Sequence, residues 1–179
     1  MKKTILLALV LFVAFAFTAC ENTDPTREEQ RTEWLTQSKG WTLASATSIP
    51  PYENTAGEED EDLFVSYFEE CEVDDILYFD ANKGSRLKSK CENKEIPLGG
   101  WSFLQDCEVL EFFLPYFVDN DDKMKRLEGK ISHIDDGMLT LRIPIKFASE
   151  PAKGKKRVVA ADNAKGDNYD FILTYKKAK

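Results

Sequence analysis

The sequence predicts an all-β protein, an up-and-down antiparallel barrel of eight strands that follows a short N-terminal helix. Helical spacing of apolar residues ends near Gly40, and short strand-like runs separated by turn residues follow it. In the run at residues 138–147, apolar residues recur at every second position. Eight antiparallel strands with short connections can close into a barrel, which removes exposed sheet edges. A two-sheet sandwich would give the same alternation, so periodicity alone leaves both architectures open.

The predicted helices follow from capping residues and spacing. Thr26 and Glu29 match the capping box, in which two side chains satisfy free backbone N–H groups at a helix start. A helix therefore begins here and runs to about Ser38, and Gly40 ends it. Apolar residues at helical spacing predict a second short helix at residues 60–70.

The predicted strands are bounded by turn signals. Pro50 and Pro115 end two of them, because proline cannot donate a ladder hydrogen bond, and residues 135–137 form a strong hairpin turn. The eight strands are predicted at residues 41–48, 74–80, 85–91, 101–105, 108–114, 124–134, 138–147 and 169–176.

Alternation along three strands predicts which side chains point inward. Residues on one face of a strand recur with a period of two, and the apolar face is the buried one. Pro144, on the other face of its strand, indicates an edge, a bulge or a seam. The inward set, which would also line any ligand pocket, is Leu110, Phe112, Leu139, Leu141, Ile143, Ile145, Tyr169, Phe171 and Leu173.

The N-terminal segment has the features of a secretory signal. Lys2 and Lys3 precede an apolar run at residues 5–17, which is shorter than the ~20 residues of a membrane-spanning helix. Small residues directly before Cys20 resemble the lipobox of bacterial lipoproteins, which implies a lipid on Cys20. We therefore expect a signal peptide at residues 1–19, a tether at 20–27 and a barrel domain at 28–179. The alternative is an ordinary secreted protein with a free Cys20.

Lipidation would place the protein in the cell envelope, anchored to a membrane and most simply to the outer membrane. An exported protein can form disulfides. In the strand map Cys71 enters the second strand and Cys91 leaves the third, so both lie at the open end of one hairpin. Cys107 lies at the opposite end, about 20 Å away along a six-residue strand, beyond disulfide reach. The predicted bond is Cys71–Cys91, and the alternative is that all three cysteines are reduced.

Composition excludes several classes of function. The net charge is −8, and it becomes −10 without Lys2 and Lys3, whereas nucleic-acid binding needs a basic face. His133 is the single histidine, so a multi-histidine metal site is excluded, and we expect it to be a hydrogen-bonded rim residue on the face of Leu127 and Ile131.

Motifs of catalysis are also missing from the sequence. It contains no nucleophile elbow, phosphate loop, zinc signature or nucleotide fingerprint. The acidic runs at 58–62 and 119–122 fit loops and turns better than cation sites, and the basic run at 153–157 fits a loop facing acidic residues. We therefore expect a protein that is not an enzyme and has no cofactor or metal.

The order of motifs resembles the lipocalin-like domains of bacterial lipoproteins over residues 35–175. The matching features are Gly40-Trp41, Cys71, the run 74–79, Cys91 and the run 99–103. The resemblance implies a calyx-type barrel. We therefore expect a lipid-anchored barrel that binds a small apolar or amphipathic molecule. The alternative is an interaction lipoprotein with a packed interior that acts through its loops and outer surface.

Overall fold

The computed structural model describes residues 25–37, 39–53, 59–118, 123–146, 158–159 and 168–179. The helices are α1 (Arg27–Leu35), α2 (Leu63–Ser66) and α3 (Glu70–Val73). The strands are β1 (Trp41–Glu53), β2 (Glu59–Asp62), β3 (Ile76–Phe79), β4 (Gly84–Ser89), β5 (Lys94–Gly100), β6 (Ser102–Leu104), β7 (Val109–Val118), β8 (Met124–Ile134), β9 (Met138–Lys146), β10 (Val158–Val159) and β11 (Asn168–Lys177).

All of these strands belong to one sheet, which curves into a nearly closed barrel. From β7 the order of neighbours is β8, β9, β11, β1, β3, β4 and β5, and each pair along this path is antiparallel. β6 begins two residues after β5 ends and pairs with β7, which brings the two ends of the path together. β10 pairs with β7 in parallel, and β2 pairs with β1. The predicted all-β barrel is confirmed.

Helices lie at both ends of the barrel, one at the first end and two at the second. We call one end the α1 end: it carries the turns at residues 80–83, 105–108 and 135–137, and Ala178 N–H donates there to the Gly40 carbonyl. We call the other the α2 end, which carries α2, α3 and the turn at 90–93. Up-and-down connection places successive turns at alternate ends.

Both helical regions complete the hydrophobic core. Leu35 of α1 and Leu63 of α2 have no exposed surface, and Phe68 after α2 is also buried. Trp41 Nε1 donates to the Leu35 carbonyl at 2.9 Å, which fixes the end of α1 on β1. The capping box of Thr26 and α1 is present as predicted. Apolar side chains from the ends therefore fill the space that the strands enclose.

Two predicted element boundaries were wrong at prolines. β1 continues past Pro50 to Glu53, through a cis Ile49–Pro50 peptide bond, and β7 continues past Pro115 to Val118. Each proline falls where the register with a neighbouring strand shifts, between Thr47 and Tyr52 in one case and between Phe113 and Val118 in the other. A proline is tolerated there because the ladder does not use its missing N–H.

The helix predicted at residues 60–70 was also wrong over much of its length. Residues 59–62 pair with β1 as β2, and the Asp62 side chain accepts a hydrogen bond from Phe64 N–H at 2.9 Å. Asp is a favoured N-cap, so the helix starts only at Leu63. The run that we expected to be an acidic loop is thus largely strand.

β5 was not among the predicted strands, and it contains Pro97 and two glycines, residues that are uncommon inside strands. The strand nevertheless pairs with β4 from Lys94 to Gly100. Pro144 matches its predicted role at a seam, because the register of β9 with β8 ends at Arg142 whereas its register with β11 continues to Lys146.

Candidate functional site

The nine predicted pocket residues lie inside the barrel and belong to one core cluster. Six of them have 0% of their surface exposed: Leu110, Phe112, Leu139, Leu141, Phe171 and Leu173. Ile143, Ile145 and Tyr169 are 1%, 2% and 8% exposed. A side chain without exposed surface touches no space that a water molecule could occupy. The predicted pocket lining is therefore in close contact with other side chains.

Aromatic side chains fill the α2 end of this interior. Tyr67, which follows α2, stacks on Phe117 with ring centroids 5.9 Å apart and meets the edge of Phe171 at 5.4 Å. Tyr52 meets Tyr67 edge-on at 5.8 Å. The Tyr67 hydroxyl donates to the Tyr116 carbonyl at 3.0 Å. Each such ring pair contributes roughly 0.5–1.5 kcal/mol beyond area burial. Tyr67 thus anchors the α2 region to the barrel.

Ser48 introduces a polar group into this apolar interior. It lies on β1 opposite Phe171 of β11 and is 2% exposed. Within the described part of the chain, its Oγ and the side-chain amide of Gln37 are the buried polar atoms without a hydrogen-bond partner. Burying an unpaired hydroxyl costs about 1–3 kcal/mol. The predicted inward set came from three other strands and included no residue of β1, so Ser48 was not among the predicted site residues.

A buried carboxylate ties three segments together at the α2 end. Asp75 is 5% exposed, and its two oxygens accept from Lys90 N–H at 2.5 Å and from the Tyr116 hydroxyl at 2.7 Å. Burial and the bond to Asp75 raise the pKa of Tyr116 far above its ordinary range. Tyr116 therefore stays protonated and serves as a donor. Asp75 was predicted to lie on a strand, and its pairing with Tyr116 was not predicted.

The disulfide lies beside this pair. Cys71 and Cys91 are bonded, as the strand map predicts, and they join α3 to the turn at 90–93. Glu69 lies close to both sulfurs. Because the sulfurs are bonded to each other, they offer no thiolate for a metal. Cys107 is free and buried, and burial raises the pKa of its thiol.

The α1 end carries exposed polar pairs. His133 Nε2 lies 2.8 Å from an Asp135 oxygen, which matches the predicted rim residue. A register shift between Ile131 and His133 turns the histidine outward, so its predicted place on the face of Leu127 and Ile131 was wrong. The N–H groups of Gly137 and Met138 and the His133 side chain lower the pKa of Asp135.

Several predicted features lie outside the described residues. These are the lipidation site Cys20 with residues 1–19, the acidic run at 119–122 and the basic run at 153–157. Over the described ranges, no helix is long and apolar enough to cross a membrane.

Comparisons with protein families, with curated proteins and with solved structures found no match to this chain. Its fold class rests on its own strand pairing, which defines an antiparallel β-barrel.

Proposed function

We propose that this protein is a lipid-anchored lipoprotein of the cell envelope with a packed barrel, which acts through its loops and outer surface and is not an enzyme. One observation carries the proposal of a packed interior. Six of the nine predicted pocket residues have no exposed surface, whereas a pocket for a small molecule needs about 300 Å³ or more. A binding calyx would leave its lining side chains partly exposed.

The strand path supports the lipocalin-like class proposed for the barrel. β5 and β6 are separated by Trp101 alone, and the two strands pair with β4 and β7 respectively. When β5 and β6 are counted as one bent strand, and β2 and β10 as short additions to the barrel, the barrel has the eight up-and-down strands of the lipocalin-like class.

The N-terminal sequence supports the anchor. A cationic start, a 13-residue apolar run and small residues before Cys20 are typical of lipoprotein export in bacteria, with the outer membrane as the proposed destination. Several acyl chains together give stable attachment to a membrane. No nucleic-acid partner is proposed, because the chain is acidic.

The anchor is tested by Cys20→Ser in cells fed a clickable fatty acid. We expect the wild-type protein to be labelled and to pellet with membranes, and the variant to be unlabelled and released. Cys107→Ser is the matched control, because it removes a buried cysteine and should leave both properties unchanged. Membrane retention and labelling of the Cys20 variant would contradict the proposal.

The packed interior is tested by titrating the purified barrel with an environment-sensitive fluorescent fatty acid. We expect no saturable increase in fluorescence. Native mass spectrometry of protein purified without detergent should show the mass of the chain alone. A stoichiometric lipid adduct would contradict the packed interior.

Binding of a small apolar or amphipathic molecule is the second candidate function, and Ser48 favours it. Its buried hydroxyl without a partner would gain a hydrogen bond from the polar end of a ligand placed near Phe171. In this case the fluorescent fatty acid would bind, and its affinity would not fall as the salt concentration rises. Ser48→Ala would lower that affinity, whereas Ser45→Ala, at an exposed position on β1, would leave it unchanged.

A further inference from the structure

We propose that the barrel is held with its α1 end toward a lipid surface and its α2 end away from it. This inference rests on the proposed anchor at Cys20. In this orientation the α1 end lies close to the lipid headgroups, and the α2 end is open to other molecules.

The chain that leads to Cys20 leaves the barrel at the α1 end. α1 is fixed at the α1 end by an ion pair between Arg27 and Glu108 and by a hydrogen bond from Arg31 to the Cys107 carbonyl. Leu35, at the end of the helix, is fully buried in the core. The residues before Thr26 therefore start from the α1 end.

The connection between Cys20 and α1 is short compared with the height of the barrel. Five residues lie between Cys20 and Thr26. The six Cα-to-Cα steps that join the two residues span at most about 3.6 Å each, which gives roughly 20 Å. β8 has 11 residues, so it is roughly 36 Å long, and a tilt of about 40° leaves a barrel height of roughly 28 Å. The connection is shorter than the barrel, so a lipid on Cys20 holds the α1 end closer to the membrane than the α2 end.

The two ends of the barrel differ in charge. Residues 59–75, which form β2, α2, α3 and their links at the α2 end, contain nine acidic residues and no lysine or arginine. These acids outnumber the four lysines of the α2 end, which are Lys90, Lys94, Lys123 and Lys125. The α1 end carries exposed groups of both signs, among them Lys39, Lys177, Lys179 and Asp136. An anionic leaflet repels acidic residues within about a Debye length. Repulsion of the α2 end and attachment at the α1 end therefore favour the same orientation.

The orientation is tested with the full-length lipidated protein in vesicles of phosphatidylethanolamine and phosphatidylglycerol that contain a headgroup nitroxide lipid. In a Cys107→Ser background, a fluorophore is attached to Lys179→Cys or Asp136→Cys at the α1 end, or to Ile49→Cys toward the α2 end. All three positions are exposed, Ile49 by 55%. Two sites at the α1 end guard against one variant that fails to fold.

Contact quenching by the nitroxide should reduce the fluorescence at positions 179 and 136 and leave position 49 unchanged. Equal quenching at both ends, or stronger quenching at position 49, would overturn the orientation while leaving the anchor intact. A wild-type protein that carries no fatty acid and does not float with vesicles would instead refute the anchor, and the orientation with it. Quenching that persists in Cys20→Ser would show that the membrane contact does not come from the lipid.

Discussion

Truncation of Leu141 to alanine measures whether the interior is packed. Leu141 has no exposed surface and lies on β9 opposite Ile131 of β8 and Leu173 of β11. It also packs over Gly129, where an added Cβ would lie 3.3 Å from the Cβ of Leu141. The side chain is thus enclosed along the barrel wall as well as from the interior.

The expected loss follows from this enclosure. Leu141→Ala removes three carbon atoms, and at about 0.8 kcal/mol for each buried CH₂ this gives roughly 2.4 kcal/mol of lost transfer free energy. The cavity that remains adds to this, so we expect the free energy of unfolding to fall by about 3–4 kcal/mol. Urea denaturation, followed by tryptophan fluorescence, measures the change.

Met138→Ala is the matched control on the same strand. Met138 is 40% exposed, so its truncation should change the free energy of unfolding by no more than about 0.5 kcal/mol. If Leu141→Ala cost less than about 1 kcal/mol, the side chain would border open space. The interior of the barrel would then not be packed around Leu141.

Three further predictions concern single contacts. Gly40→Ala should lower the free energy of unfolding, measured by thermal or urea unfolding, by on the order of 1–3 kcal/mol, because Gly40 has φ +72° and an added Cβ would lie 2.9 Å from a backbone oxygen. Gly137→Ala is the control and should be nearly neutral, because the nearest atom to its added Cβ lies 3.7 Å away. Tyr116→Phe leaves Asp75 buried with one partner fewer and should cost about 1–3 kcal/mol at pH 7; no measurable loss would contradict the buried bond. The pKa of Asp135 is lower in the folded state than in the unfolded state, so its contribution to the free energy of unfolding should be complete above its unfolded pKa of ~4 and disappear as pH falls through the folded value. The difference in free energy of unfolding between wild type and Asp135→Asn, measured from pH 7 to pH 3, should therefore decrease on acidification. A difference that increases on acidification would contradict the lowered pKa.

Much of the barrel could be predicted from short-range patterns. The alternation over residues 138–147 and 169–176 identified β9 and β11, and their observed register pairs Leu141 with Leu173, as the shared inward face requires. The disulfide followed from the same map, because two cysteines at the open end of one hairpin lie close whatever the rest of the sheet does. These features depend on neighbours in sequence or on one hairpin.

Other features depend on contacts that local patterns do not contain. β2 has the acidic composition of a loop and is a strand because β1 extends far enough to pair with it. His133 points outward because a bulge between β8 and β9 changes the alternation by one position. The prolines in β1 and β7 are tolerated because the register shifts beside them, and a shift is a property of two strands together.

Whether the interior is packed or open to a ligand also depends on contacts that local patterns do not contain. Alternation identifies the side chains that point inward, but the same inward set can surround a ligand or pack against other side chains. The two cases differ in whether side chains from the ends of the barrel fill its interior. Here Leu35 comes from α1, Leu63 from α2 and Tyr67 from the turn after it, and each meets the strand residues in the core. These three residues are separated in sequence from the strands that they cover, and only their docking shows that they occupy the space. A calyx and a packed barrel can therefore share nearly the same strand sequences, and the short segments at the two ends carry the difference.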